Sequence, residues 1–219
     1  MEMHYTFHHE LVKLNKKILK MGAMVEDRVR KAASTIQVYD ELVVQKLKLS
    51  DYEIDDMEME IEEDCLKILA LYHPVASDLR FIVSVIKINK EIERIADASV
   101  SIAQRMESIN KHRKGLPVPF DYSAMSEKAI QMLKMSLDSL VTRDSALARR
   151  VFLLDDEVDS LRNKAYTAVK EMLRQDATEP GSLINTYLLA RHLERIGDRA
   201  TNIAEEVIYL VEGSMVRCP

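Results

Sequence analysis

The sequence is poor in the residues that turn-rich folds require. Five Gly, five Pro and no Trp occur among 219 residues, and aromatic residues make up only 5%. An average protein carries roughly 12% Gly plus Pro, and β-sandwiches and barrels need a turn signal every ~8–12 residues. This scarcity argues against such folds and predicts a few long elements. The shares of hydrophobic residues, 47%, and of charged residues, 31%, indicate amphipathic helices and exclude intrinsic disorder.

Cysteine and long apolar runs are scarce as well. Cys65 and Cys218 are the only cysteines and cannot form a disulfide framework, which favours a reducing compartment. Residues 1–17 lack the apolar core of a signal peptide. The longest apolar run, 81–88, is interrupted by polar residues and is far shorter than the ~20 residues of a transmembrane helix. We therefore expect a cytoplasmic protein without a transmembrane segment.

The charge and the motif content bear on function. The chain has 31 Lys and Arg against 36 Asp and Glu, a net charge of -5, and this balance argues against a nucleic-acid partner. It contains no GxxxxGK[ST] or GxGxxG loop, and neither cysteine belongs to a recognisable Cys/His arrangement. We therefore expect no catalytic residues and a protein that is not an enzyme.

Four of the five Pro and two of the five Gly residues fall at three breaks, 72–78, 115–121 and 178–182. Asp40 and Asp144 each precede a strongly helical run, as N-cap residues do, and so predict two further helix starts. The predicted helices span 8–38, 41–71, 77–111, 123–142, 145–174 and 182–212.

The two halves of the chain match each other. The second predicted helix superposes on the fifth after a shift of 104 residues, and the third on the sixth after a shift of 101. Superposed pairs include Asp51 and Asp155, Asp55 and Asp159, Glu93 and Glu194, and Asp97 and Asp198. We infer an all-α fold of two tandem three-helix bundles that arose by internal duplication. The predicted divisions are a first unit at 1–114, a linker at 115–122 and a second unit at 123–219.

Apolar residues follow a heptad seam along the last helix of each unit, which suits packing inside a bundle. In the first unit the seam is Val85, Ile88, Ile92, Ile95, Ser99, Ile102 and Met106. In the second it is Leu189, Leu193, Ile196, Ala200, Ile203, Val207 and Leu210.

Paired carboxylates repeat at one-turn spacing in both halves. Glu93 and Asp97, like Glu194 and Asp198, lie four residues apart, and the heptad phase places them away from the seam. Neighbouring carboxylates repel one another unless a cation joins them, and all-oxygen ligands suit Mg²⁺, Mn²⁺, Ca²⁺ or iron. The pattern therefore predicts two surface metal sites. Ordinary charged helix faces remain the alternative interpretation. A ferritin-type site is not predicted, because no Glu-x-x-His occurs in the sequence.

Three segments then make a family resemblance specific: YHPVASDLR at 72–80, EIERIADASVSIA at 91–103 and HLERIGDRATNIAEEV at 192–207. In this order, and within the doubled three-helix pattern, they closely resemble the PhoU family of phosphate-uptake regulators. The resemblance implies a six-helix cytoplasmic protein with surface metal ions, iron or zinc in some members. It also implies negative control of the phosphate regulon between two membrane partners. These are the ATPase subunit of a phosphate ABC transporter and a sensor histidine kinase. We also expect a homodimer, peripherally associated with these membrane complexes.

The resemblance assigns candidate ligands position by position. The strong matches are Glu93, Asp97, Glu194, Asp198 and Asn202, and a second acidic strip is formed by Asp51, Asp55, Asp155 and Asp159. Ser101 replaces the asparagine in the first unit, so the two sites are expected to differ in affinity or occupancy. Asp78 and Arg80 have no counterpart in the second unit. They are candidates for partner contact, or else a helix cap and an ion-pair residue.

Two other functions compete with this prediction. The first is an accessory subunit of a low-affinity phosphate carrier. The second is a helical metal-dependent nucleotide phosphohydrolase. The known all-α pyrophosphatases place Glu-x-x-Glu before Glu-x-x-Asp, whereas in this chain the Glu-x-x-Asp motif, Glu53 to Asp56, precedes Glu60-x-x-Glu63. The enzyme is therefore the weaker alternative.

Overall fold

The computed structural model describes residues 2–112, 119–175 and 178–218, and every regular element in these ranges is a helix. The helices are α1 (Glu2–Gln37), α2 (Glu41–Leu49), α3 (Tyr52–Tyr72), α4 (Ala76–His112), α5 (Ser123–Thr142), α6 (Ser145–Gln175) and α7 (Pro180–Glu212). The all-α class and the two tandem three-helix units are confirmed. The first unit contains α1 to α4, and the second contains α5 to α7.

Both predicted N-cap aspartates begin a helix. Oδ1 of Asp40 accepts hydrogen bonds from the backbone N–H groups of Leu42, at 2.9 Å, and Val43, at 3.2 Å. Oδ1 of Asp144 accepts from the N–H of Leu147 at 3.0 Å. These bonds satisfy donors that have no partner within the helix itself.

The second predicted helix, 41–71, is interrupted once, at Ser50 and Asp51, which divides it into α2 and α3. Arg28 of α1 is buried there and donates to the backbone carbonyl and, at 3.2 Å, to the hydroxyl of Ser50. A buried guanidinium must find acceptors. The Ser50 carbonyl, which accepts from the N–H of Glu53 at 3.2 Å, three residues on, supplies one. When the shift of 104 residues is applied to α1 as well, Arg28 corresponds to Met132 of α5. In the second unit α6 runs through the corresponding turn without a break.

The antiparallel pair of α4 and α7 forms the centre of the molecule. Lys87 lies 2.8 Å from Glu206 near one end of the pair, and Arg105 donates to Asn185 at 3.2 Å near the other. All fourteen residues of the two predicted seams are at most 7% exposed. On this pair, α1 and α3 complete the first bundle, α5 and α6 complete the second, and α1 also contacts α5.

The predicted linker 115–122 is only partly described, because residues 115–118 lie outside the described ranges. Its last residues are fixed on the second unit. The Tyr122 side chain is buried and its hydroxyl donates to the backbone carbonyl of Thr186 in α7. The ring of Phe120 packs edge-on against it, with 5.0 Å between ring centroids.

Each long helix pairs its apolar seam with a charged outer face. In α7, for example, the buried Leu193 and Ile196 alternate with the exposed Arg191 and Arg195. Among the helices of the described ranges, none is both long enough and apolar enough to cross a membrane.

Candidate metal centres

The first acidic cluster lies where α3 packs beside α4. Asp51, at the break between α2 and α3, and Asp97 of α4 line one cavity of about 330 Å³, together with Ser101. Partial burial raises the pKa values of Asp51, Glu93 and Asp97, and it is the largest cause in each case. The charge of Asp55 raises the pKa values of Asp51 and Asp97 further. Arg94, Arg195 and Arg199 line the same cavity, and Arg28 lies 3.5 Å from Asp51. Arg28 and Arg195 lower the pKa values of Asp51 and Asp97, respectively, but do not cancel the rise, so the carboxylates still repel one another.

Glu93 has one carboxylate oxygen that receives no aligned hydrogen bond. Its Oε2 is buried, and no described residue donates an aligned hydrogen bond to it. The nearest cation is the ammonium of Lys90, at 3.5 Å, which also lies 3.7 Å from Glu58 of α3. One exposed lysine thus faces two carboxylates and leaves an excess of negative charge.

The second acidic cluster repeats this repulsion between α6 and α7. Burial raises the pKa of Asp155 to about 6, and the charges of Asp198 and Asp159 contribute. Burial and Asp159 also raise the pKa of Asp198, against the opposing charges of nearby arginines. The structure therefore brings these three aspartates of the predicted set close together.

Glu194 differs from its predicted environment. Heptad phase predicted a surface position, but the residue is only 7% exposed and is ion-paired on both oxygens. Nε of Arg162 lies 3.0 Å from Oε1, and Nη1 of Arg191 donates to Oε2 at 2.7 Å. The surface prediction is wrong here because α6 packs across this side of α7 and carries Arg162 onto the carboxylate. Burial raises the pKa of Glu194, and Arg191 and Arg162 oppose that change.

Asn202 takes part in a contact between the two units. Its Nδ2 donates to Oε2 of Glu91 at 3.0 Å, and Arg199 donates to the same oxygen at 3.2 Å. The other oxygen of Glu91 accepts from Arg94 at 2.7 Å. Sequence reasoning missed Glu91, whose side chain is only 12% exposed and whose carboxylate accepts from donors on α4 and α7. Only its three-residue spacing from Arg94 could have drawn attention to it.

Asp78 and Arg80 lie at helix ends. Asp78 occupies the first turn of α4, where a negative charge interacts favourably with the helix dipole. Arg80 packs against the end of α7, because a Cβ atom at Gly213 would lie only 3.7 Å from its Cζ. The ion pair suggested for Arg80 is not found among the described residues. Their contact with a partner stays a prediction.

The described side chains do not form a preassembled metal site, because no group of three or more His, Cys, Asp or Glu among them converges as metal ligands do. In the first cluster the donor chemistry nevertheless fits a hard cation. All candidates there offer oxygen, and Glu93 Oε2 is buried without a hydrogen-bond donor. In the second cluster Glu194 does not fit, because two guanidinium groups occupy its oxygens.

The structure thus contains two copies of a three-helix unit, joined along their last helices, and each copy carries an acidic cluster. This arrangement defines a duplicated helical-bundle protein. The model of the PhoU domain matches the chain twice, over residues 18–106 and 122–207. The chain belongs to the PhoU family, as its motifs predicted.

Curated relatives and solved structures agree with this membership. The chain is 33% identical over 213 residues to the phosphate-specific transport system accessory protein PhoU homolog of Clostridium acetobutylicum. This alignment covers 96% of each of the two chains. The crystal structure of PhoU from Pseudomonas aeruginosa superposes with a TM-score of 0.90 at 33% identity, covering 95% of this chain and 100% of that one. The phosphate transport system regulatory protein PhoU from Streptococcus pneumoniae gives a TM-score of 0.82 at 26% identity, with coverage of 96% and 99%.

Proposed function

We propose that this chain is a non-catalytic accessory protein of a phosphate transport system and a negative regulator of phosphate uptake and of the phosphate regulon. The observation that carries the proposal is the double family match over both three-helix units. Relatives that align over 96% of this chain, from Clostridium acetobutylicum and Pseudomonas aeruginosa, are named as accessory proteins of phosphate-specific transport.

The proposed mechanism is that of an adaptor. The chain, as a homodimer, docks at the cytoplasmic side of the membrane on the ATPase subunit of a phosphate ABC transporter and on a sensor histidine kinase. A regulator of this kind acts through different affinities for two states of its partner. The charged outer faces of α3, α4, α6 and α7 offer long surfaces for such contacts, and the kinase is kept inactive when phosphate is plentiful.

The proposal includes metal ions at the acidic clusters, iron or zinc or else Mg²⁺ or Mn²⁺. In the first unit Asp51, Asp55, Glu93 and Asp97 would hold the ion, since oxygen ligands suit hard cations. A bound cation would offset the repulsion that raises the pKa values of Asp51 and Asp97. The residues themselves come from α3, α4 and the turn before α3, so binding would hold these elements together.

The regulatory role is tested by deleting the gene and growing the cells in phosphate-rich medium. We expect constitutive expression of phosphate-starvation genes, measured with a reporter, and repression on complementation with the wild-type gene. The double variant E93Q/D97N should restore repression less completely than the wild type. The matched control is E63Q, which alters an exposed i,i+4 ion pair with Lys67. Unchanged expression in the deletion strain would contradict the regulatory role.

The partner is tested by affinity purification from membranes of phosphate-replete cells. Recovery of the ABC transporter ATPase and of a histidine kinase supports the adaptor. Recovery of a secondary phosphate carrier instead would favour the low-affinity alternative. Nucleotide turnover by the purified protein, lost in E93Q/D97N, would favour the phosphohydrolase.

A further inference from the structure

The two acidic clusters occupy matching positions of the repeat, but the charge is reversed at one of the two positions beside the matching glutamate. Glu58 of α3 matches Arg162 of α6 under the shift of 104 residues, so a carboxylate in one unit is a guanidinium in the other. Under the shift of 101 residues, Lys90 of α4 matches Arg191 of α7. The glutamate between them is Glu93 in the first unit and Glu194 in the second.

In the first unit these positions form two carboxylates and one ammonium. Nζ of Lys90 lies 3.7 Å from Glu58 and 3.5 Å from Glu93, both beyond the length of a strong charged hydrogen bond. Lys90 is half exposed, as is the matching Arg191, so water screens both charges and the difference between the units comes from Glu58 in place of Arg162. Glu93 therefore remains short of positive charge and keeps one buried oxygen without a donor.

In the second unit the same positions form one carboxylate between two guanidinium groups. Arg191 donates a hydrogen bond of 2.7 Å to one oxygen of Glu194, and Arg162 lies 3.0 Å from the other as an ion pair without an aligned hydrogen bond. The Glu194 side chain is 9% exposed. Removing such a partner from a buried carboxylate is costly, because the carboxylate is left without compensation. A metal ion that used Glu194 as a ligand would have to displace this arrangement.

We propose that the two metal sites of this chain are not equivalent, and that Glu194 is not a metal ligand. This inference rests on the metal binding proposed above. The first unit binds a hard divalent cation with Glu93. In the second unit Arg162 and Arg191 neutralise the glutamate, and only Asp155, Asp159 and Asp198 remain for a cation. Because affinity follows the number of charged ligands, the second site should be at least about tenfold weaker.

The test is a titration of chelator-stripped, full-length protein with Mn²⁺, in which electron paramagnetic resonance counts the free ion. We expect one tight site per chain and a second that is at least about tenfold weaker. E93Q should abolish the tight site, whereas E194Q should leave it unchanged. Two sites of equal affinity, or loss of the tight site in E194Q but not in E93Q, would overturn the inference while leaving metal binding intact. Failure to bind any Mn²⁺ would overturn metal binding as well.

A gain-of-function variant tests whether Arg162 is what weakens metal binding in the second unit. R162E gives the second unit the residue of the first, and we expect the weak site to tighten by about tenfold or more. The matched control is R174E, on the same helix, which alters only an exposed ion pair with Glu171. If circular dichroism shows that R162E does not fold, R162M removes the guanidinium without adding a charge and should tighten the site in the same direction. A weak site unchanged in a folded variant would contradict the role assigned to Arg162.

Discussion

Among the carboxylates of the second acidic cluster, Asp155 has a strongly raised pKa. Burial is the largest cause of its raised pKa of about 6, and Asp198, Asp159 and Asp156 add to it. Above pH 6 the folded protein holds this group ionised at a cost, whereas the unfolded chain ionises it freely near its usual pKa of 3.8. The cost is absent below that usual pKa, grows between the two values and is fully present at pH 8.

We expect D155N to raise the free energy of unfolding at pH 8 by about 1 kcal/mol, a value reduced from the full pKa change because Asp155 is partly exposed. The gain should be smaller at pH 5, since the wild-type group is then largely protonated in the folded state. Urea unfolding at both pH values, with chelator present, measures this difference. E171Q, on the same helix, is the control and should change stability equally at the two pH values. A D155N gain that is equal at both pH values, or larger at pH 5, would contradict the account.

For single residues, the sequence predicted which acidic side chains lie close together better than it predicted how buried each one is. The repeat correctly singled out the acids that the structure brings together, such as Asp51 with Asp97 and Asp155 with Asp198. It misplaced Glu194, because heptad phase describes one helix and its seam. Arg162 reaches this carboxylate from α6, and nothing within α7 reports that approach.

Helix starts are the elements that local chemistry determines most directly. The Asp40 side chain is exposed and does not pack in the core. Its carboxylate nevertheless accepts two backbone hydrogen bonds at the start of α2. We expect D40A to lower the free energy of unfolding by about 1 kcal/mol and D40N to lower it by only a few tenths, because Asn is an equally good N-cap. Urea denaturation measures both. Equal losses in the two variants would mean that the charge of Asp40, and not its cap, stabilises α2.

The interruption between α2 and α3 shows where local reasoning ends. Propensity in 41–71 favours one helix, and its counterpart α6 is one helix. The difference arises from Arg28 of α1, which is far away in sequence and takes the carbonyl of Ser50. The counterpart Met132 needs no acceptor, and it packs closely on Gly197, where a Cβ atom would lie 3.3 Å from its sulfur.

The whole molecule depends on the contact between α4 and α7. Apolar seam residues from both units are buried along this pair, and Glu91 joins the units through Arg199 and Asn202. Neither unit can lose its structure without exposing the seam of the other. The fold class and the duplication were predictable because hydrophobic periodicity and internal repetition are properties of the sequence itself. The way the two units pack on each other was not, because charge contacts such as that of Glu91 join distant segments.

We therefore expect a single cooperative thermal transition for the full chain. Differential scanning calorimetry should give equal calorimetric and van't Hoff enthalpies, the signature of two-state unfolding. Two resolved transitions would show that the units unfold independently despite their shared centre.

The reversed charges at Glu58 and Arg162 have an evolutionary consequence. A symmetric homodimer of one three-helix unit would carry the same residue twice, so a change at one site would always be made at the other. Fusion of the two copies into one chain gave each its own codon at this position. The repeat is therefore kept in the backbone while the charges of its two copies differ, which makes the two ends of the molecule chemically distinct.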